Sequence, residues 1–460
     1  MYEVGKEKVL SVNGRIVKNG IAITVKNRDF VVEYPTEIWQ QFPTEAKEML
    51  RDNLVFGDTH FLPLTLGYTK IKYNTKFPMV ESFLFQNQIM DMTKSESWDK
   101  VPTLSYLKQF HNLEYDFAPG SPAFLKEFHN PKVKNKQRVA IVPFSFGKES
   151  LLSVALCLEL GIKPILVYSQ EPSMPYEEAY KRKKLAEFGK KFNVETHFVK
   201  NGPGLFRYDA AFSKKKGTEV GWASQTTLIA LQVLPFVYAH NADYIFFGSE
   251  YLNNEYKVRD GWKVFYSYDQ SSFFTLHQDS MIRLLTKGSC RVKATLEPID
   301  QINIFEILHR RYPEIGVYQF SCAADHPLYK DTQWCHRCYK CARMYLFARV
   351  INLDPATIGF KKDLLNQPGL FENYFGKVMS SGNRYELDVS FYTLYKRGDR
   401  SHYVKLFEKT RLKTMAPWKK YYSHFTTMRP WQNLPEEYAP QMLDIFQEEL
   451  DSLKKLIPKK

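Results

Sequence analysis

The stretch VAIVPFSFGKESLLSVALCLELGIKPILVY, Val139 to Tyr168, decides the fold class. It opens with a short apolar run, passes through a turn of serine and glycine, and continues as a leucine-rich run that stops at Gly161. A second apolar run, PILVY, follows directly. This order predicts a strand, a helix and a second strand. Because such a crossover joins parallel strands, the stretch predicts an α/β protein with a Rossmann-like parallel sheet.

The same alternation continues downstream. The pattern predicts a helix over 177–191, a strand over 194–199, a long apolar helix over 224–240 and a strand over 244–247. In a parallel sheet of this kind, ligands bind at the carboxyl ends of the strands. We therefore look for functional residues directly after each predicted strand.

The first 130 residues are predicted to be β-rich. NGRIVKNGIAITVKNRDFVVEY combines Asn-Gly turn signals with alternating Ile21, Ile23 and Val25, which is typical of hairpins, and LPLTLGYTKIKY has a similar style. Beyond Cys341 the pattern is mostly helical. We therefore predict a β-rich N-terminal domain over 1–130, a central α/β domain over 131–365 and a helical C-terminal region over 366–460. In the last region an amphipathic helix is predicted to dock on the body through apolar residues at helical spacing: Met442, Ile445, Phe446, Leu450, Leu453 and Ile457.

Length and composition narrow the class of protein. The 460 residues, 44% of them hydrophobic, suffice for two or three folded domains. No apolar run approaches 18 residues, and the N-terminus does not resemble a secretory signal, so we expect a cytoplasmic protein without a membrane partner. The net charge of +14 suits an anionic partner. A nucleotide or phosphorylated metabolite is favoured over nucleic acid, because no aromatic residues interleave the short basic runs.

The turn from Ser145 to Ser150 is the first candidate site. A helix that starts directly after a strand presents free N–H groups and the positive end of its dipole, which together hold phosphate oxygens. Gly147 would allow close approach of the anion, Ser145 and Ser150 can donate hydrogen bonds, and Lys148 adds a cation. The turn is not a Walker A loop. The competing interpretation is an ordinary loop in which serine caps the helix.

The cysteines provide the second candidate site. Cys335, Cys338 and Cys341 follow C-x2-C-x2-C spacing, and Cys322 precedes them. Four thiolates in this order can hold one tetrahedral Zn²⁺. His336 and His326 are alternative fourth ligands, and an iron–sulfur cluster is the alternative cofactor. The remaining cysteines, Cys157 and Cys290, are interpreted as plain thiols.

The turn resembles the S-G-G-x-D-S signature of the PP-loop family, the N-type ATP pyrophosphatases. In this sequence Phe146 replaces a glycine and Glu149 replaces the aspartate. A positive φ at Phe146 would be strained. The resemblance implies a fold of the PP-loop/HUP type, ATP and Mg²⁺ as cofactors bound by Ser145, Phe146, Gly147, Lys148, Glu149 and Ser150, and cleavage of ATP to AMP and pyrophosphate.

Two PP-loop families resemble further parts of the chain. The cysteine cluster is similar to that of the 7-cyano-7-deazaguanine synthases. The overall plan resembles the UDP-N-acetylmuramoyl-L-alanyl-L-glutamate epimerases, through FSFGKESLL, YIFFGSEYLNNEY, WCHRCYKCARMYLFARV and FKKDLLNQPGLFENYFGKVM. The second resemblance implies that a peptide-bearing acid is activated as an acyl adenylate and epimerised at the neighbouring carbon. The catalytic candidates are then Lys148, Glu149, Glu250 and Glu255.

Each of these candidates has an alternative interpretation. The segment from Glu250 to Glu255 can instead be a polar loop that follows a strand. Ser224, Gln225 and Thr226 can cap a helix or bind an anionic part of the substrate. For the whole chain, the alternatives to the epimerase are an enzyme that modifies 7-deazaguanine or a tRNA nucleobase, and a nucleotide-binding partner protein without catalytic activity.

Overall fold

The computed structural model describes residues 8–208, 211–212, 219–322, 332–376 and 381–458. The strands in this part of the chain are β1 (Val9–Val17), β2 (Gly20–Val25), β3 (Arg28–Glu33), β4 (Lys70–Tyr73), β5 (Glu114–Asp116), β6 (Val139–Pro143), β7 (Lys163–Gln170), β8 (Glu195–Asn201), β9 (Tyr244–Glu250), β10 (Tyr256–Arg259), β11 (Trp262–Phe265) and β12 (Arg291–Leu296).

Helices occur throughout the described residues. They are α1 (Thr36–Gln41), α2 (Thr44–Thr59), α3 (Leu62–Leu66), α4 (Glu81–Asp99), α5 (Thr103–His111), α6 (Lys148–Glu159), α7 (Pro175–Phe192), α8 (Gln225–Gln232), α9 (Leu234–His240), α10 (Ser272–Leu285), α11 (Gln301–Arg310), α12 (Pro313–Gly316), α13 (Tyr339–Val350), α14 (Glu372–Phe375), α15 (Ser381–Lys396), α16 (His402–Thr410), α17 (Trp418–Thr426) and α18 (Ala439–Leu456).

One large mixed sheet organises the molecule. Its ten strands run in the order β12-β9-β6-β7-β8-β3-β2-β1-β4-β5, and the first five of these are mutually parallel. The predicted α/β class and parallel sheet are confirmed. Numbered from β6, the parallel strands have the order 3-2-1-4-5 of doubly wound sheets. The chain therefore leaves β6 on one side to form β7 and β8, and returns on its other side to form β9 and β12.

The N-terminal strands extend this same sheet. β3 pairs with β8 in antiparallel fashion, with Val32 opposite Asn201 and Glu33 opposite Lys200. The predicted hairpins are confirmed, but the first 130 residues also contain the five helices α1–α5, so this region is not simply β-rich. In LPLTLGYTKIKY only Lys70–Tyr73 is a strand. Its first part is helix α3, because Pro63 lies in the first turn and Gly67 ends the helix at φ +74°.

Two hydrophobic cores lie on opposite faces of the sheet. Alternate residues of β6 divide between them: Ala140 and Val142 face one core, and Val139 and Ile141 face the other. The first core contains α6, α11, α13 and the C-terminal helices. Helix α18 docks there through buried residues that include Met442 and Phe446, as the sequence predicted. The second core is shared with the N-terminal helices.

The long apolar helix is built as two helices. The predicted stretch 224–240 divides at Val233 into α8 and α9, because Pro235 lies in the first turn of α9 and donates no backbone hydrogen bond. By length and hydropathy the region Val220–His240 could cross a membrane, but 83% of its apolar window is buried inside the protein. Its apolar character follows from its position in the second core.

The shared sheet and core predict how the first domain boundary behaves. A chain of residues 131–458 leaves the edge of β8 unpaired and uncovers Ile141 and Ile165, which pack in the core shared with the N-terminal region. We expect this fragment to aggregate or to unfold without a cooperative transition, in contrast to the whole protein. Size-exclusion chromatography and thermal denaturation check this. A monodisperse fragment that melts like the whole chain would instead establish an independent domain.

Candidate functional site

A cleft of about 560 Å³ opens at the carboxyl ends of the parallel strands. It lies where the chain leaves β6 in both directions, which is the position at which doubly wound sheets bind their ligands. Residues from several separate segments face it, including Ser145, Gly147, Lys148, Glu149, Ser150, Tyr168, Ser169, Glu178, Lys181, Gln225, Thr226, Gln232, Ser249, Glu250, Asn253, Cys322, Lys340 and Arg343. The Ser145–Ser150 turn is therefore brought into the same cavity as Glu250 and part of the cysteine cluster.

The start of α6 lines the cleft. Side chains of the turn bond within the turn: the N–H of Gly147 donates to Ser145 Oγ at 3.3 Å, and Ser150 Oγ donates to the carbonyl of Gly147 at 3.2 Å. Gly147 is the N-cap and makes no side-chain capping hydrogen bond, whereas the carboxyl of Glu149 accepts a hydrogen bond from its own backbone N–H. The predicted role of serine as a helix cap is therefore not seen. The first-turn residues Lys148, Glu149 and Ser150 line the cavity at the positive end of the helix.

Lys148 and Glu149 form an ion pair at this helix start. The ammonium of Lys148 contacts Glu149 Oε1; Lys148 is buried, whereas about a third (35%) of the Glu149 side chain is exposed. Burial opposes ionisation of Glu149, but the Lys148 ammonium lowers the pKa of this carboxyl below its usual value. A cation and a carboxylate therefore stand side by side where a phosphate and its Mg²⁺ would bind.

Phe146 has the strained backbone that its replacement of glycine implied. Its φ is +62°, in the left-handed region, and its ring is 1% exposed. The ring packs edge-on against Phe144 at 4.6 Å and against Phe188 at 6.2 Å between centroids. Its carbonyl accepts a hydrogen bond of 2.8 Å from the N–H of Phe320. Packing of the Phe146 ring and the hydrogen bond to its carbonyl thus stabilise a backbone conformation that phenylalanine rarely adopts.

Gly248 brings β9 against the first turn of α6. A Cβ atom at this position would lie 2.7 Å from the Cβ of Glu149 and 2.9 Å from its carbonyl carbon, closer than side chains approach. Only glycine allows this contact. It positions Glu250, two residues later, in the cleft with 6% exposure.

Glu250 has the properties of a proton-transfer group. Burial raises its pKa to about 8, against the opposing effect of the Lys148 ammonium. Its Oε2 atom is buried and has no hydrogen-bond partner within the described residues. A carboxyl whose pKa lies near the working pH can both donate and accept a proton.

Glu255 does not share this position. The turn Tyr251–Asn254 carries the chain away from the cleft, and the charges that act on Glu255 are those of Arg429 and Lys420. Glu255 therefore does not line the cleft with Glu250, and its catalytic role stays a prediction. Asn253 does face the cleft, and so do Gln225 and Thr226 at the start of α8.

Three further charged residues of the cleft were missed by the sequence analysis. Glu178 of α7 accepts a hydrogen bond of 2.8 Å from the hydroxyl of Tyr168, and burial raises its pKa to about 7. Lys340 and Arg343 of α13 supply cations. Lys340 lies between Cys338 and Cys341, and Arg343 follows Cys341 by two residues. The signal for these two was their spacing of three residues, which places them on one face of the helix.

The four cysteines form a candidate metal centre beside the cleft. Their sulfur atoms approach in four pairs at 3.5–3.7 Å: Cys322–Cys338, Cys335–Cys341, Cys338–Cys341 and Cys341–Cys322. Sulfurs bound to one tetrahedral Zn²⁺ are about 3.8 Å apart, whereas a disulfide requires about 2.0 Å. The cluster therefore fits a metal ion.

Local contacts identify the fourth ligand of this centre. Cys322 completes the cluster and also faces the cleft. His336 instead accepts a hydrogen bond of 2.9 Å from the N–H of Lys361, and His326 lies outside the described residues. Cys338 is the N-cap of α13, so the metal centre fixes the start of the helix that carries Lys340 and Arg343. Cys157 and Cys290 are buried free thiols, and burial raises the pKa of both.

Comparison with known proteins yields no assignment. No protein-family model matches the chain. No curated protein matches its sequence at a significant level. The chemistry of the cleft and of the cysteine cluster must therefore be inferred from their geometry.

The strained turn predicts an unusual order of stability. Replacing Phe146 by alanine or glycine removes the ring at a cost of about 3–5 kcal/mol. Because φ is positive here, Phe146→Gly should exceed Phe146→Ala by about 1–2 kcal/mol in unfolding free energy. Phe144, equally buried but without a positive φ, is the control, since alanine should exceed glycine there. Urea denaturation of the four variants checks the order, and the same order at both positions would contradict the strain.

The cysteine centre predicts a loss of metal and stability in one variant. Cys338→Ser should lose the thiolate-bound ion and more than about 4 kcal/mol of stability. His336→Asn is the control, because this side chain is outside the cluster and asparagine tolerates the φ of +56°. Cobalt substitution, read through thiolate-to-metal charge-transfer absorption, and thermal melting measure both effects. Equal melting temperatures for Cys338→Ser and the parent would refute the metal centre.

Proposed function

We propose that the cleft binds ATP with Mg²⁺ and activates a substrate carboxylate as an acyl adenylate, as PP-loop ATP pyrophosphatases do. The observation that carries this proposal is the open helix start at Lys148, which lies in a cleft at the switch point of a parallel sheet. A carboxylate oxygen of the substrate attacks the α-phosphorus of ATP. The bond to the β-phosphate breaks, and pyrophosphate leaves.

Different residues of the cleft contact the phosphates, the Mg²⁺ and the substrate in this proposal. The amides of the Ser145–Ser150 turn and Lys148 hold phosphate oxygens, and Glu149 offers an oxygen ligand for Mg²⁺. Lys340 and Arg343 add positive charge opposite the developing pyrophosphate or the acidic substrate. Zn²⁺ at the four cysteines has a structural role, because Cys338 begins the helix that carries both cations. The reaction consumes ATP, so the proposal includes a cytoplasmic location.

The second step of the proposal is epimerisation of a peptide-bearing acid. Conversion of a carboxylate to an acyl adenylate acidifies the neighbouring C–H. Glu250 and Glu178 both face the cleft, and burial raises the pKa of each toward neutrality. One carboxylate removes the proton, and a proton returns to the other face of the carbon. Hydrolysis of the adenylate then releases AMP and the epimerised acid.

A second candidate function is favoured by the contact between the cysteine centre and the cleft. Cys322 belongs to both, an arrangement that supports a 7-deazaguanine or tRNA nucleobase-modifying enzyme of the same family. The ion pair of Lys148 with Glu149 favours a third candidate, a nucleotide-binding protein without turnover, because it occupies the lysine that catalysis requires.

One substrate screen separates the three candidates. Pyrophosphate release from MgATP is measured with peptide-bearing acids, with free amino acids and with 7-deazaguanine acid plus ammonia. Release with a peptide-bearing acid, accompanied by deuterium uptake from heavy water at its α-carbon, supports the epimerase. Release that requires ammonia and the deazaguanine acid supports the second candidate. ATP binding without release in any mixture supports the third.

The proposed phosphate contact predicts the effect of removing one lysine. Lys148→Ala should weaken MgATP binding about 10- to 100-fold, because a charge-assisted contact contributes about 1.5–3 kcal/mol. Lys184→Ala is the control, since this lysine pairs with Glu187 on α7 and does not line the cleft. Isothermal titration calorimetry compares the two variants with the parent. Unchanged affinity in Lys148→Ala would contradict the proposed contact.

A further inference from the structure

We propose that Glu195, His197 and His240 form a second metal site, for a divalent transition cation such as Zn²⁺. One ligand atom from each of the three residues lies within 4.8 Å of the other two. The site lies at the amino ends of the parallel strands, at the opposite end of the sheet from the cleft. It is therefore separate from the ATP chemistry proposed above.

Two of the distances between donor atoms are close to those that one ion requires. Nε2 of His197 lies 2.8 Å from Glu195 Oε1, and Nε2 of His240 lies 3.3 Å from the same oxygen. Nitrogen and oxygen ligands at about 2.0–2.1 Å from a tetrahedral Zn²⁺ are about 3.3–3.4 Å apart. Small side-chain rotations suffice to place all three atoms around one cation.

Two regular elements hold the donors in place. Glu195 and His197 are two residues apart on β8, so their side chains point to the same face of the sheet. Helix α9 covers that face and ends at His240. The ring of Phe236, one turn earlier on α9, lies 5.1 Å from the ring of His197 and fixes its position. A cation here would join the start of β8 to the end of α9.

One of the three metal-ligating atoms, the buried Nε2 of His240, makes no hydrogen bond within the described residues, although it lies near the Glu195 carboxylate. Glu195 and His197 form a hydrogen bond with each other. A metal ion would engage both imidazoles and the carboxylate at once, with water in its remaining position. The Glu195 side chain is 37% exposed, which gives the ion and that water access from solvent.

Lys163 provides a matched control. Its ammonium lies 3.6 Å from Glu195 Oε2, the oxygen that is not shared with the histidines. It competes weakly for the carboxylate without being a ligand. Lys163→Ala therefore changes the surroundings of Glu195 and leaves all three donors in place.

The test is a metal titration of the full chain after removal of bound ions by a chelator. We expect two Co²⁺ ions per chain by elemental analysis. One gives thiolate charge-transfer absorption, and the other gives only the visible bands of nitrogen and oxygen ligation. The double variant His197→Ala/His240→Ala should lose the second ion and keep the thiolate absorption, and Lys163→Ala should keep both.

Folding of the variants is checked separately. The double variant without metal should melt at the temperature of the metal-free parent, and only the parent should gain stability when the second ion is added. If the double variant does not fold, His240→Gln alone is titrated and should bind the second ion at least tenfold more weakly. A parent chain that binds only the thiolate-site ion, or histidine variants with the metal content of the parent, would overturn the proposal.

Discussion

The structure of the candidate site depends on the packing and the hydrogen bond that stabilise the turn after β6. Phe146 keeps a left-handed backbone because its ring is buried against Phe144 and Phe188, and because Phe320 donates a hydrogen bond to its carbonyl. That turn aims the start of α6 into the cleft. The Phe320 contact also ties the turn to the segment that leads into Cys322. The proposed phosphate-binding turn and the candidate metal centre are therefore parts of one assembly.

The carboxyl groups of this assembly fall into two regions, one with a lowered pKa and one with raised pKa values. At the helix start, the Lys148 ammonium lowers the pKa of Glu149 against the effect of burial, which favours the ionised form that the proposed Mg²⁺ contact needs. Deeper in the cleft, burial raises the pKa of Glu250 to about 8, and the positive charge of Arg343 on α13 opposes this rise. Behind it, burial also raises the pKa of Glu386 to about 8, while its Oε1 accepts a hydrogen bond from the N–H of Ile302. The ion pair of Lys148 with Glu149 thus lies at the helix start, and the carboxyls of raised pKa, Glu250 and Glu386, lie deeper in the protein.

Sequence periodicity predicted the elements whose burial is simple. The apolar runs of β6, β7, β8 and β9, the hairpins of the N-terminus and the docking of α18 were all correctly predicted, because each buries a continuous or regularly spaced apolar face. The cysteine cluster was also predicted, since gaps of two residues bring Cys335, Cys338 and Cys341 together and the earlier Cys322 was proposed as the fourth ligand. These features are local, and the sequence expresses them directly.

The features that the sequence did not predict involve long-range pairing, turns or the convergence of distant helices. Nothing in the N-terminal sequence indicates that β3 would pair with β8, more than 160 residues later. Glu255 does not line the cleft with Glu250, and the turn Tyr251–Asn254 lies between the two residues. Glu178 and Arg343 were missed because tertiary packing brings α7 and α13 to the cleft, and the sequence pattern does not show that packing. Helix positions alone do not reveal such convergence.

The central claim is that a nucleotide binds at the start of α6. A crystal structure with Mg²⁺ and α,β-methylene-ATP, which resists cleavage between the α- and β-phosphates, tests it most directly. Our account predicts phosphate density within hydrogen-bonding distance of the Lys148 and Glu149 amides, with the nucleoside in the cleft. A fully occupied nucleotide elsewhere on the molecule, with this turn empty, would contradict it.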